Sequence, residues 1–161
     1  MSGGMDRRED GFTLIELMVV VLIIAILLAI AIPTFLGART KAQDRAAESN
    51  LRNALTAEKT FYVDNQTFTA TPASLSAIEP AILYVAGFPG AAGAVGVTTV
   101  TNSTADDTVQ LVAKSASGAC FYLQDVQVTN PVGAAAGTTY YTDPACGGIP
   151  LVGNAAWTTH W

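Results

Sequence analysis

Hydrophobic positions follow two different rules along this chain. From Leu17 to Ile32 sixteen consecutive residues are apolar, mostly Ile, Leu and Val, with the carboxylate of Glu16 at the edge of the run. Beyond Pro33 the pattern becomes periodic. Ala47, Leu51, Ala54, Leu55, Phe61 and Tyr62 follow the i, i+4, i+7, i+8 spacing of one helix face. Arg45, Glu48, Arg52 and Lys59 punctuate the rest, and Glu48 with Arg52 makes a favourable i,i+4 pair. Pro33 has no amide hydrogen and clashes with the preceding turn, which predicts a kink within one helix rather than its end. Asp64-Asn65 reads as the exit. A helix from Phe12 to Val63 is about 78 Å long at 1.5 Å per residue, so only its latter half packs on the residues that follow.

After residue 64 the chain turns to Thr, Ala, Gly and Ser with scattered β-branched residues. Ser74-Leu75-Ser76-Ala77-Ile78 predicts a helical turn stopped before Pro80, and AGFPGAAGAVG (Ala86 to Gly96) a flexible glycine-rich loop. Three strands are expected at Val95 to Val100, Thr108 to Ser115 and Ala119 to Val128. Asn102 to Asp107 and Ala116-Ser117-Gly118 connect them. Val109, Leu111 and Ala113 alternate most clearly, and the short connections favour an antiparallel meander whose one face covers the stripe around Leu51 and Leu55. A further short strand is expected at Thr138 to Thr142. The expected class is α+β: a long N-terminal helix on a small antiparallel sheet.

Composition narrows the function. Half of the 161 residues are hydrophobic, 13% are charged, and the net charge is −5. A sequence-independent grip on nucleic acid needs several basic contacts to phosphate, and Lys114 stands alone in the second half, which argues against nucleic acid as the main ligand. His160 is the only histidine. No histidine triad, histidine metal cluster, CxxC pair or Walker phosphate loop can be assembled, so no catalytic residue, metal or cofactor is expected, and enzyme is the weakest class. Asp106-Asp107 reads as a solvated turn rather than a calcium site. Asn65-Gln66-Thr67 and Asn102-Ser103-Thr104 match the unspecific glycosylation sequon. Trp157 and Trp161 read as cover for the edge of a small core rather than a receptor-facing patch. Cys120 and Cys146 form a disulfide if their half is exported, or stay free buried thiols if it is cytosolic.

Three readings compete for the N-terminus. A secretory signal would use Arg7 and Arg8, the apolar core and Ala29-Ile30-Ala31, but such cores span roughly 7–15 residues. A plain anchor fits a bilayer core crossed by about twenty residues. It leaves Glu16 unexplained, since a carboxylate costs about 2.5–3.5 kcal/mol at the centre of a span and less near its end.

The third reading accounts for each oddity. Gly11-Phe12-Thr13-Leu14-Ile15-Glu16-Leu17 resembles the processing and assembly signature of type IV pilins and the related pseudopilins of type II secretion. The resemblance extends through the apolar run to Pro33 and more loosely to Gly37. It implies that residues 1–11 are a leader, or seven residues from Met5 if the chain starts there. A prepilin peptidase would cut between Gly11 and Phe12 on the cytoplasmic side, and the same enzyme would N-methylate Phe12. Residues 12–36 become the transmembrane and assembly half of the helix, 37–63 its amphipathic half, and 64–161 a globular β head. Two departures stand out. Asp6, Glu9 and Asp10 accompany Arg7 and Arg8 in a leader that is usually net positive, although acidic residues contribute little to orientation. Ala25 stands where many relatives have Gly.

The resemblance makes Glu16 the assembly residue, and the charged amine of a neighbouring Phe12 is its natural partner in a core of packed apolar helices. Docking one step out of register would strand both charges; breaking a buried pair typically costs about 3–5 kcal/mol, so the pair sets stagger more than adhesion. The partners implied are other copies in a helical filament, the prepilin peptidase, and an inner-membrane platform driven by a cytoplasmic ATPase. The chain would sit in the cytoplasmic membrane before assembly and in a surface pilus afterwards. A pseudopilin of a secretion or DNA-uptake machine is the main alternative, and a monomeric membrane-anchored binding module a further one. Pilins often staple their C-terminal loop, a feature that Cys120 and Cys146 resemble. The bridge would close a loop of some 26 residues, worth about 3–4 kcal/mol on the chain-entropy estimate.

Overall fold

The computed structural model describes residues 11–102, 105–128, 135–150 and 156–161. Among these residues two helices and five strands run in the order α1 (Leu14–Asn65), α2 (Pro72–Ile78), β1 (Leu83–Ala86), β2 (Ala94–Asn102), β3 (Ala105–Lys114), β4 (Cys120–Val126) and β5 (Gly137–Asp143). The chain divides into two compact units between Arg39 and Thr40.

The first unit holds the beginning of α1. Every large apolar side chain from Phe12 to Leu36 is exposed. Sixteen consecutive apolar residues, mostly Leu, Ile and Val, leave the helix apolar on all sides, a pattern that suits lipid or a bundle of helices better than water. Pro33 lies inside α1, and one residue later the Thr34 hydroxyl donates to the Ile30 carbonyl at 3.1 Å. Such back-bonding by Thr is tolerated in a helix interior and tends to bend it.

In the second unit α1 presents Ala47, Leu51, Ala54, Ala57 and Glu58 as its buried face. These alanines and Leu51 share one buried core with the sheet residues. Full burial of such a leucine is worth about 1.5–3 kcal/mol. Gln66 (φ 56°) turns the chain back at the helix exit. Here the Asn65 side-chain amide donates to the Phe61 carbonyl at 2.9 Å, covering a carbonyl of the last turn. The next helix begins at Pro72, two residues earlier than Ser74-Leu75 suggests, because a proline at the first helical position gives up no needed hydrogen bond.

Among the described residues one sheet runs in the order β1-β2-β3-β4-β5. The α+β class stands, and the pairs β2–β3, β3–β4 and β4–β5 are antiparallel as the meander expectation requires. One pair departs from it: β1 runs parallel to β2, with Leu83 opposite Ala94. Parallel neighbours usually need a crossover of a dozen or more residues, and here the connection is the glycine-rich loop after Ala86. It is folded onto the sheet. Gly87 (φ 69°) and Gly93 (φ 89°) adopt left-handed backbone, and the Gly87 N–H donates to the Val97 carbonyl at 2.9 Å. A Cβ at Gly96 would overlap the Gly87 carbonyl oxygen and lie 2.8 Å from Pro89 Cδ and Val112 Cγ1. Only glycine lets the loop return this closely.

The expected connection Asn102 to Asp107 is also shorter than its polar composition suggests. Strand β2 continues to Asn102 and β3 starts at Ala105, with a register irregularity between Val100 and Thr101. Asp107 is therefore buried in a strand, not solvated in a turn. The sequon at Asn102 extends onto Ser103 and Thr104, outside the described residues.

Each face of the sheet has its own core. Val95, Val97, Val109, Leu111, Ala113, Phe121 and Leu123 join Leu51, Ala54, Phe68, Leu75 and Tyr84 on the helix side. On the other, Val112, Cys120 and Tyr122 pack with Tyr141, Cys146, Ile149 and Trp157. The two terminal tryptophans serve opposite faces. Trp161 sits edge-on to Phe121 with ring centres 5.4 Å apart, whereas Trp157 lies 6.2 Å from Tyr141. Docking of α1 to the sheet also uses charge: Lys59 Nζ lies 3.1 Å from Asp125 Oδ2, and that carboxylate is almost wholly buried.

Candidate functional site

Gly11 and Phe12 are exposed and precede α1, whose first residue is Leu14. Residues 1–10, which hold Arg7 and Arg8, lie outside the described residues, as does the start at Met5. Glu16 occupies the first turn. Its Oε2 accepts the Thr13 backbone N–H at 2.9 Å and the Thr13 hydroxyl at 2.8 Å. In return the Glu16 N–H donates to Thr13 Oγ1 at 3.3 Å.

This reciprocal arrangement is a capping box, in which Thr13 at the N-cap and Glu16 three residues on satisfy each other's orphan groups. The carboxylate also complements the positive end of the helix dipole. The isolated chain thus gives Glu16 a local partner, one that reading the carboxylate only against a neighbouring amine overlooks. Thr13 is the missed residue, and its signal is the T-x-x-E spacing directly before an apolar run. Both side-chain bonds end on Oε2; Oε1 takes part in neither. Phe12, Ile15, Glu16, Val19 and Val20 border one shallow groove on the helix surface.

Cys120, the first residue of β4, is bridged to Cys146, 26 positions further along the chain, with Cα atoms 5.1 Å apart. Beside the bridge, the Asp143 carboxylate accepts the N–H groups of Ala145 (2.8 Å) and Gly147. These bonds hold its carboxyl below the usual aspartate range, because hydrogen bonds to the charged form favour it. No group of three or more His, Cys, Asp or Glu suited to a metal ion is found among the described residues. Asp107 stands in β3 with Oδ1 buried and without a hydrogen-bond partner.

Comparison with known proteins points to the same stretch. Residues 6–32 match the prokaryotic N-terminal methylation motif. The chain is 42% identical over 69 residues to the type IV wide pilus major component PilA4 of Thermus thermophilus, covering 43% of this chain and 53% of that protein. It is 45% identical over 64 residues to the type IV major pilin protein PilA of Myxococcus xanthus, covering 40% of this chain and 29% of that one. The type II secretion system core protein G of Aeromonas hydrophila is 35% identical over 72 residues, covering 45% of this chain and 50% of that protein. The matches span about half the length of these relatives, or less. The chain thus carries the prokaryotic N-terminal methylation motif at the entrance to α1, and it is similar to type IV pilins and to core protein G of type II secretion.

Proposed function

We propose that this chain is the structural subunit of a bacterial type IV pilus, processed from a prepilin and polymerised through its N-terminal helix. The observation that carries the reading is the coincidence of the methylation motif with a helix whose large apolar side chains are exposed from Phe12 to Leu36. The helix has the length and composition to cross a membrane, and the same surface suits packing against other copies. In this reading a prepilin peptidase cuts between Gly11 and Phe12 and methylates the new Phe12 amine. Glu16 keeps Thr13 on Oε2 and offers Oε1 to the Phe12 amine of a neighbour. Pro33 marks the bend within the embedded helix. The subunit waits in the cytoplasmic membrane and enters a surface filament through an inner-membrane platform and its ATPase. Its role is structural and requires no cofactor.

A second reading, a pseudopilin of a type II secretion machine, rests on the core protein G relatives. The pilus reading is preferred because the pilus proteins show the higher identities, 42% and 45%.

The test is the N-terminal residue and intact mass of the membrane-associated protein. A start at N-methylated Phe12 is expected. A start at Ile32 would mean a secreted soluble domain, and an uncut start in a host with the peptidase would mean a plain anchor. Electron microscopy of sheared surface fractions then separates long external filaments from a secretion apparatus.

A further inference from the structure

Leu51, Ala54 and Glu58 follow the i, i+3, i+7 spacing of one helix face, so a carboxyl group occupies a position that the pattern reserves for an apolar side chain. Glu58 is completely buried. Its Oε2 accepts the Thr69 backbone N–H at 3.2 Å, and its Oε1 has no hydrogen-bond partner. Thr69 belongs to the strap that leaves α1 at Gln66 and leads to α2 and then β1. The strap is seated by Phe68, whose ring centre lies 4.8 Å from that of Tyr62, and α2 is seated by the fully buried Leu75. A second orphaned polar atom lies on this layer: the hydroxyl of buried Tyr84 on β1 has no partner.

No ion pair of Glu58 is found among the described residues. Lys59, the adjacent cation, is taken by Asp125 of β4. Glu79 stands just past the end of α2. On β1, Tyr84 is pushed up to about 12 by burial, with the charges of Glu79 and Glu58 adding to it. Burial likewise pushes the Glu58 carboxyl up to about 8, against the smaller opposing effect of the Thr69 N–H. An unpaired carboxylate in such a site needs water or a proton.

We propose that Glu58 is a proton-held latch for the strap: neutral, it lets Gln66–Thr71, α2 and β1 close over α1; ionised, it draws in water and drives that segment off the helix. The latch is a property of the second unit and does not depend on how the N-terminus is processed. The strap is the part that yields because the carboxyl lies against its backbone, whereas β3 and β4 are hydrogen-bonded to strands on both sides.

The test uses the full chain in detergent micelles and follows amide hydrogen exchange at pH 6 and pH 9, corrected for the intrinsic chemical rate. Protection at Thr69 and across α2 is expected to fall by about tenfold or more at pH 9, while β3 and β4 hold. In Glu58→Gln, whose amide oxygen still accepts the Thr69 N–H, the strap should be equally protected at both values. A carbon-13 titration of the Glu58 carboxyl in the unaltered chain provides a second reading that needs no variant. A midpoint near 8, coincident with the loss of protection, supports the latch. A midpoint in the ordinary carboxylate range, a pH response retained in Glu58→Gln, or a loss shared evenly by β3 and β4 overturns it.

Discussion

Thr13 and Glu16 close a reciprocal pair at the entrance to α1, with Glu16 Oε2 2.9 Å from the Thr13 nitrogen and the Glu16 nitrogen 3.3 Å from Thr13 Oγ1. The carboxylate therefore holds two separable roles, one inside the chain and one proposed between chains. Substitutions can divide them. Thr13→Ala removes the cap and leaves the charge; loss of an N-cap typically costs about 1 kcal/mol. Faster amide exchange over the first turn of α1 is expected, and Thr13→Ser should restore protection.

Glu16→Gln divides them the other way, because Gln serves in a capping box but carries no charge. If the charge sets stagger between copies, Glu16→Gln and Glu16→Val should both insert and be cleaved normally while yielding few filaments. Immunoblotting of membrane and sheared fractions reads both steps. Full filament yield in Glu16→Gln would assign the residue to capping alone.

At Gly96 the backbone of the β1–β2 loop occupies the place of a side chain. Gly96→Ala forces that loop or Val112 to move and should destabilise the second unit by about 1–3 kcal/mol, the usual cost of overpacking. Gly90→Ala meets no atom within 4 Å and is the matched control. Thermal unfolding of the two variants makes the comparison.

Reduction or a double Cys120→Ser, Cys146→Ser change should lower stability by about 3–4 kcal/mol if the chain-entropy account holds. Exchange should rise first in the segment around Cys146 rather than in β3, which is hydrogen-bonded to strands on both sides. Melting with and without reductant measures the first effect, and amide exchange the second.

Asp143 predicts acid sensitivity at the same end of the sheet. Its folded-state carboxyl titrates below the ordinary value of 3.8 because the N–H groups of Gly147, Ala145 and Cys146 favour the charged form. The stability it contributes is present above that ordinary value and is lost as the pH falls through the lower folded-state value. Melting temperature should drop as the pH falls below that ordinary value, and Asp143→Asn should flatten part of that drop.

Much of the architecture could be read from residue periodicity. The sixteen-residue apolar run, the Leu51 stripe and the Val109-Leu111-Ala113 alternation each belong to one element, and local pattern reports local structure. The parallel β1 escaped because Leu83-Tyr84-Val85-Ala86 is only four residues long and its partner is reached through a loop that composition marks as flexible. What fixes that loop is a contact, Gly96 against Gly87, which neither periodicity nor composition reports. Asp107 misled for a related reason: an acidic pair looks solvated until its neighbours in the sheet are known. At the N-terminus, T-x-x-E was in plain view, but the apolar context drew attention to the charge of Glu16 rather than to its reach back to Thr13.

The exposed flank of α1 from Phe12 to Leu36 has a consequence for supply. A surface this apolar suits lipid or its own kind, so in the proposed function unassembled copies would not accumulate as a dissolved stock. In the proposed pilus they form a two-dimensional reservoir, measured per area of membrane rather than per volume of cell. Growth of a polymer would then draw down a local surface density and pause until lateral diffusion refills it, so elongation is governed by how crowded the sheet of lipid is around each growing base.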